Sequence, residues 1–121
     1  MKYALLIYSS TEAGEYASPS DDRVKAVTDY VREVKDAGVL VAVEQLTHSD
    51  TATTVRVRGG DRLLTDGPFM ETKEHLLGFF VLEVPDLDSA LQWAERMPAA
   101  CFGTVEVRAV QAPRRWQSAL D

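Results

Sequence analysis

Three short apolar runs break the alternation that a sheet with one solvated face requires. They are Ala4-Leu5-Leu6-Ile7, Val39-Leu40-Val41-Ala42-Val43 and Phe79-Phe80-Val81-Leu82. Successive side chains on a strand point to opposite faces, so runs of this kind are covered on both. Helices supply one cover. A second copy of the chain is the simplest source of the other, which makes a homodimer the expected assembly.

The helices are marked by a different spacing. Val24, Val27, Val31 and Val34 recur at steps of three and four and share one helical face. Ser18 is the expected cap of this helix, with Pro19 at the first helical position and Asp21 near the free amides. Gly38 is suited to end it. A second helix follows Pro85, with Asp86 as N-cap and Leu87, Ala90, Leu91, Ala94 and Met97 on one face before Pro98. Trp93 flanks that stripe.

The remaining runs, 2–8, 39–46, 53–58, 62–66, 77–84 and 104–110, read as strands. Gly59-Gly60 between the third and fourth signals a hairpin, because both residues tolerate positive φ. With that hairpin set aside as an insertion, the order is β-α-β-β-α-β. This is the α+β, ferredoxin-like pattern, an antiparallel sheet with two helices on one face. Paired through their open faces, two such sheets form a dimeric α+β barrel. The domain is expected over residues 1–112, with 113–121 as a C-terminal tail that begins at Pro113.

Charge and composition exclude several functions. Nineteen acidic residues against 13 basic ones give a formal net charge of −6, which offers no concentrated positive surface for nucleic acid. Arg114-Arg115 beside Trp116 is the one basic spot, and it reads as a solvated tail. Cys101 is the only cysteine, which suits a reducing compartment, and its small apolar neighbours suit an inert thiol. No apolar run approaches the roughly 20 residues of a membrane helix. The expected location is the cytoplasm. Two isolated histidines and one cysteine give no metal-ligand spacing, and no glycine-rich phosphate loop is present, so neither metal nor cofactor is expected.

The segment Leu63-Leu64-Thr65-Asp66-Gly67-Pro68-Phe69-Met70 continues into Glu71-Thr72-Lys73-Glu74. This Asp-Gly-Pro-Phe signature resembles the DGPF branch of the YCII-related family. Thr53-Thr54-Val55-Arg56, Gly78-Phe79-Phe80 and Val105-Glu106-Val107-Arg108 agree with it in order, from about Lys2 to Val110. The resemblance implies the dimeric barrel fold. Relatives in the wider family are suspected of enzymatic activity through a His–Asp pair in a pocket. Genes of the DGPF type often neighbour those of alternative sigma factors, which implies a regulatory or protein-interaction role as the second reading.

Asp66 is the first candidate for chemistry. It ends a strand in a rigid Gly-Pro turn, where a carboxylate can serve as acid, base or ligand anchor. The simpler alternative is that it bonds local amides and fixes the turn. His75 is a candidate proton carrier to pair with Asp66, although the family commonly shows glutamine there. Arg56, Glu106 and Arg108 lie on strands and point opposite to apolar neighbours. If that side faces the barrel interior, they are placed to clamp a small anionic ligand, as an alternative to an ordinary ion pair. Lys73 belongs to the charged run after the signature and is a further ligand-binding candidate. His48, in a polar stretch, is expected to be an exposed loop residue. The first function expected is the binding or transformation of a small molecule in a barrel pocket near Asp66.

Overall fold

The computed structural model describes residues 1–121. In chain order it contains β1 (Lys2–Ser9), α1 (Ala13–Ala17), α2 (Asp21–Asp36), β2 (Leu40–Gln45), β3 (Thr53–Arg58), β4 (Asp61–Asp66), β5 (His75–Glu83), α3 (Leu87–Glu95) and β6 (Thr104–Ala109). Four strands form one antiparallel sheet in the order β2-β5-β1-β6, and β3-β4 forms a separate two-stranded ribbon. Gly59 and Gly60 turn that ribbon with φ of +57° and +84°, the positive pair that a tight hairpin needs.

Both long helices pack on the same face of the sheet. Tyr3 and Leu5 of β1 stand opposite Leu82 and Phe80 of β5, and these four meet Tyr30 and Val34 of α2 and Ala90 and Ala94 of α3. Tyr30 joins the layers. Its ring meets Phe80 and Trp93 edge-on, with centroids 5.5 and 6.3 Å apart, and its hydroxyl donates to the Trp93 carbonyl at 2.7 Å. The opposite sheet face carries Ala4 and Leu6 beside Val81 and Phe79, also apolar, with Arg108 and Glu106 next to them on β6.

Three expectations need correction. The cap of α2 is Ser20, which accepts from the Arg23 amide at 3.2 Å, because Ser18 instead closes the separate helix α1. On α3, Asp86 caps as expected, accepting from the Ser89 amide at 2.9 Å. However, Leu87 and Leu91 face outward, and the buried stripe is Ala90, Ala94 and Met97. On α2 only Val34 is fully buried, whereas Val24 and Val27 are each 49% exposed.

Gly78 lies where β5 bulges against β1 and passes close to β2. A Cβ there would stand 2.6 Å from the Glu44 carbonyl oxygen, a backbone atom that cannot swing aside. Gly78→Ala should therefore cost about 1–3 kcal/mol, as overpacking does, and lower the urea midpoint. An unchanged midpoint would show that β2 withdraws freely.

Burial pushes the Tyr30 phenol up to about 12. The unfolded chain ionises it at about 10. Below that pH both states hold the proton and the stabilisation is complete. Between the two values only the folded state holds it, so stability falls as pH rises. Chemical denaturation from pH 9 to 12 should show this decline, and Tyr30→Phe should flatten it.

Candidate functional site

One end of the sheet gathers the polar residues. Ser9 at the end of β1 pairs with His75 at the start of β5, Gln45 at the end of β2 pairs with Gly78, and Tyr8 pairs with Thr104. The chain leaving β1 passes through α1 and the first turns of α2, which roof this end. The roof is not filled. Beneath the first half of α2 lies a cleft of about 420 Å3, within the size range of small-molecule sites.

Ile7, Val43 and Phe80 form the floor of the cleft, and Val24, Val27 and Val31 form its ceiling. This accounts for the half-exposed valines. The apolar stripe of α2 continues toward its N-terminus, but the sheet below does not rise to meet it.

The mouth is polar. The Arg23 guanidinium stacks 4.1 Å over the Phe102 ring and lies 3.4 Å from the Glu15 carboxylate. Both partners keep solvent contact, so the pair is easily exchanged for another anion. The Tyr16 hydroxyl donates to the Leu46 carbonyl, with the Leu77 carbonyl at 3.3 Å. Tyr16 thus pins α1 to the ends of β2 and β5.

Tyr16 also borders a second hollow with His48, Asp50 and Thr51. His48 is only 9% exposed, contrary to the expectation of a solvated loop residue. The tight turn Ser49–Thr51 folds it inward, where Nε2 lies 3.1 Å from the Thr11 carbonyl and Nδ1 accepts from the Asp50 amide at 3.3 Å. Both bonds are met by the tautomer with its proton on Nε2. The rings of His48 and His75 are 4.7 Å apart, and His75 Nδ1 lies 2.6 Å from Ser49 Oγ.

The residues singled out from sequence fall in three places. His75 and Lys73 lie at and before the start of β5, and the hydrogen-bond partner of His75 is Ser49 rather than Asp66. Asp66 is exposed at the end of β4. The turn after it is held by the Gly67 amide on the Ala52 carbonyl at 2.7 Å and by Thr54 Oγ1 on the Gly67 carbonyl at 2.8 Å. Arg56 lies on β3 with its guanidinium 4.8 Å over Phe69. Glu106 and Arg108 pair with each other on β6. Cys101, expected to be an inert thiol among small apolar residues, is exposed.

Sequence reasoning passed over Tyr16, Arg23 and Ser49, and it read His48 as a solvated loop residue. Tyr16 offered a faint signal, as a lone aromatic in the polar stretch Glu15–Ser20. The others depend on contacts between distant segments.

Fold and cleft together define an antiparallel α+β domain with a ligand-sized space between helix and sheet. No helix is long and apolar enough to cross a membrane. The chain belongs to the YCII-related family, whose domain matches residues 1–116. An uncharacterized protein of Rhizobium meliloti (strain 1021) is 36% identical over 112 residues, which span 89% of this chain and 90% of the relative. Among solved structures, the 5-chloro-2-hydroxyhydroquinone dehydrochlorinase of Burkholderia phenoliruptrix AC1100, in complex with 2,5-dihydroxybenzoquinone, aligns with a TM-score of 0.51. The alignment covers 92% of this chain and 94% of that one at 13% identity, so what it shares is the fold.

If Tyr16 pins α1 over the cleft, Tyr16→Phe should cost roughly 0.5–1.5 kcal/mol, the usual net worth of a hydrogen bond. Hydrogen exchange should show the amides of residues 13–18 losing protection while those of β1 and β5 keep theirs. Equal loss throughout would make Tyr16 a general core contact.

Proposed function

We propose that the chain binds, and in the same place transforms, a small ring-sized molecule in the cleft beneath α2. The cleft itself carries this reading, since it joins an apolar floor and ceiling to a polar mouth at the strand ends. Such a site holds a flat apolar body and meets its polar substituents with few, placed groups. Arg23 would receive an anionic substituent, and Glu15, which lines the mouth beside it, would be the proton carrier. The structurally similar dehydrochlorinase, solved with a dihydroxybenzoquinone, supports a ligand of this class.

The same proposal includes the assembly. With β3-β4 set aside, the strand order is that of a ferredoxin-like β-α-β-β-α-β sheet. Its open face, with Leu6, Phe79 and Val81 at the centre, supports a homodimer closed face to face as an α+β barrel. Glu106 and Arg108 would then line the space between the sheets. That supports a second placement of the ligand, in the barrel and bounded also by Arg56, Asp66 and Lys73.

Calorimetric titration with 2,5-dihydroxybenzoquinone and hydroxylated benzenes of similar size tests both. Binding should saturate, and Val27→Trp, which fills the cleft from its half-exposed ceiling, should weaken it at least ~10-fold (about 1.4 kcal/mol). Arg108→Ala should leave it unchanged. The opposite pattern would move the site between the sheets, and no saturable binding in the parent protein would overturn the proposal.

A further inference from the structure

The β3-β4 hairpin is an arm with one apolar face that nothing in its own chain covers. Residues opposite one another in an antiparallel pair share a side. Val55 stands opposite Leu64, Val57 opposite Arg62 and Thr53 opposite Asp66, which places these six on one face. Thr54, Arg56 and Arg58, with Thr65, Leu63 and Asp61, form the other. Val55, Val57 and Leu64 are 60%, 61% and 54% exposed. The two strands pack extensively only on each other. A lone two-stranded hairpin is marginally stable at best in water, so an arm of this pattern gains its order from a surface outside the chain.

The exposed area points to what that surface is. The chain exposes 8655 Å2. A compact monomer of 13.4 kDa exposes roughly 6,500 Å2, so the excess is about 2,200 Å2. Standard interfaces remove about 800 Å2 from each partner and permanent ones roughly 1,000–2,500 Å2. The excess is that of a subunit of a permanent assembly. Residues 53–66 hold three arginines and two aspartates, in a chain whose net charge is −6. Only Arg62 and Asp66 of these lie on the Val55 face, so its charges cancel and apolar contact carries the docking.

We infer that the Val55–Val57–Leu64 face of the arm lies on a second copy of the chain and carries Asp66, which shares that face, onto it. The inference rests on the homodimer reading and goes beyond it by naming the arm as the clasp. In a two-fold pair each subunit gives one arm and receives one. Asp66 then belongs to a surface that a single chain does not complete, with residues of both copies around its carboxylate.

Sedimentation equilibrium tests this with paired variants. Val55→Lys combined with Leu64→Lys should weaken association by roughly 100-fold or more, as loss of a central apolar cluster does. Asp66→Lys, on the same face, should weaken it too. Leu63→Lys combined with Thr65→Lys adds the same charge on the opposite face and should leave the dimer intact. Hydrogen exchange of the parent protein should show protected amides at residues 54–65 that lose protection on dilution. A parent dimer unmoved by the first pair, or an arm unprotected at every concentration, overturns the clasp and leaves the dimer standing. A monomeric parent overturns both.

Discussion

Everything in this fold hangs on β1 lying between β5 and β6. Its odd-numbered residues Tyr3 and Leu5 are buried against α2 and α3, while Ala4 and Leu6 face the other way among Val81 and Phe79. A strand in that position has no exposed edge, and its backbone groups are bonded on both sides. The helices are then placed by what β1 and β5 present to them. Val34 and Leu82 are fully buried, and Tyr30 bridges α2 to Trp93 of α3. The region below the first turns of α2 is left without such partners.

That shortfall is where a ligand site can form. An apolar helix face that fully met its sheet would leave no room for anything else. Here the stripe of valines on α2 extends past the last side chains that reach it, and α1 closes the gap only at its rim, through Tyr16. The cleft is thus a consequence of two elements whose apolar surfaces differ in length. The family assignment and the shared fold are compatible with many chemistries, since function follows the site rather than the architecture.

Much of this was legible in the sequence, for definable reasons. Short apolar runs located the central strands, and a period of 3.6 located the two long helices. Gly59-Gly60 marked the hairpin, and Asp86 marked the start of α3, because local chemistry decides each of these. The five residues of α1 were not legible, since they have no buried residue and thus no stripe. Ser20 was hidden behind Ser18 because the cap depends on where the preceding helix ends. The burial of His48 was invisible, because it results from the short turn Ser49–Thr51 and from Thr11, far away in the chain. Spacing told that Val24 and Val27 share a face with Val34, but not whether the sheet would meet them. The grouping of Asp66, Arg56, Arg108 and His75 into one site rested on topology, and the single chain distributes them over the arm, the open sheet face and the start of β5.

The central place of β1 also sets a timetable. Both of its neighbours lie in the second half of the chain, so during synthesis it emerges long before either of them. At roughly 5–20 residues per second, several seconds pass in which an apolar strand with two free edges has nothing to pair with. Non-local pairing of this kind slows folding, because the intervening loop must be closed before any contact rewards it. A nascent chain of this protein therefore carries one specific apolar segment, Tyr3–Tyr8, without its native partners until its last strands arrive.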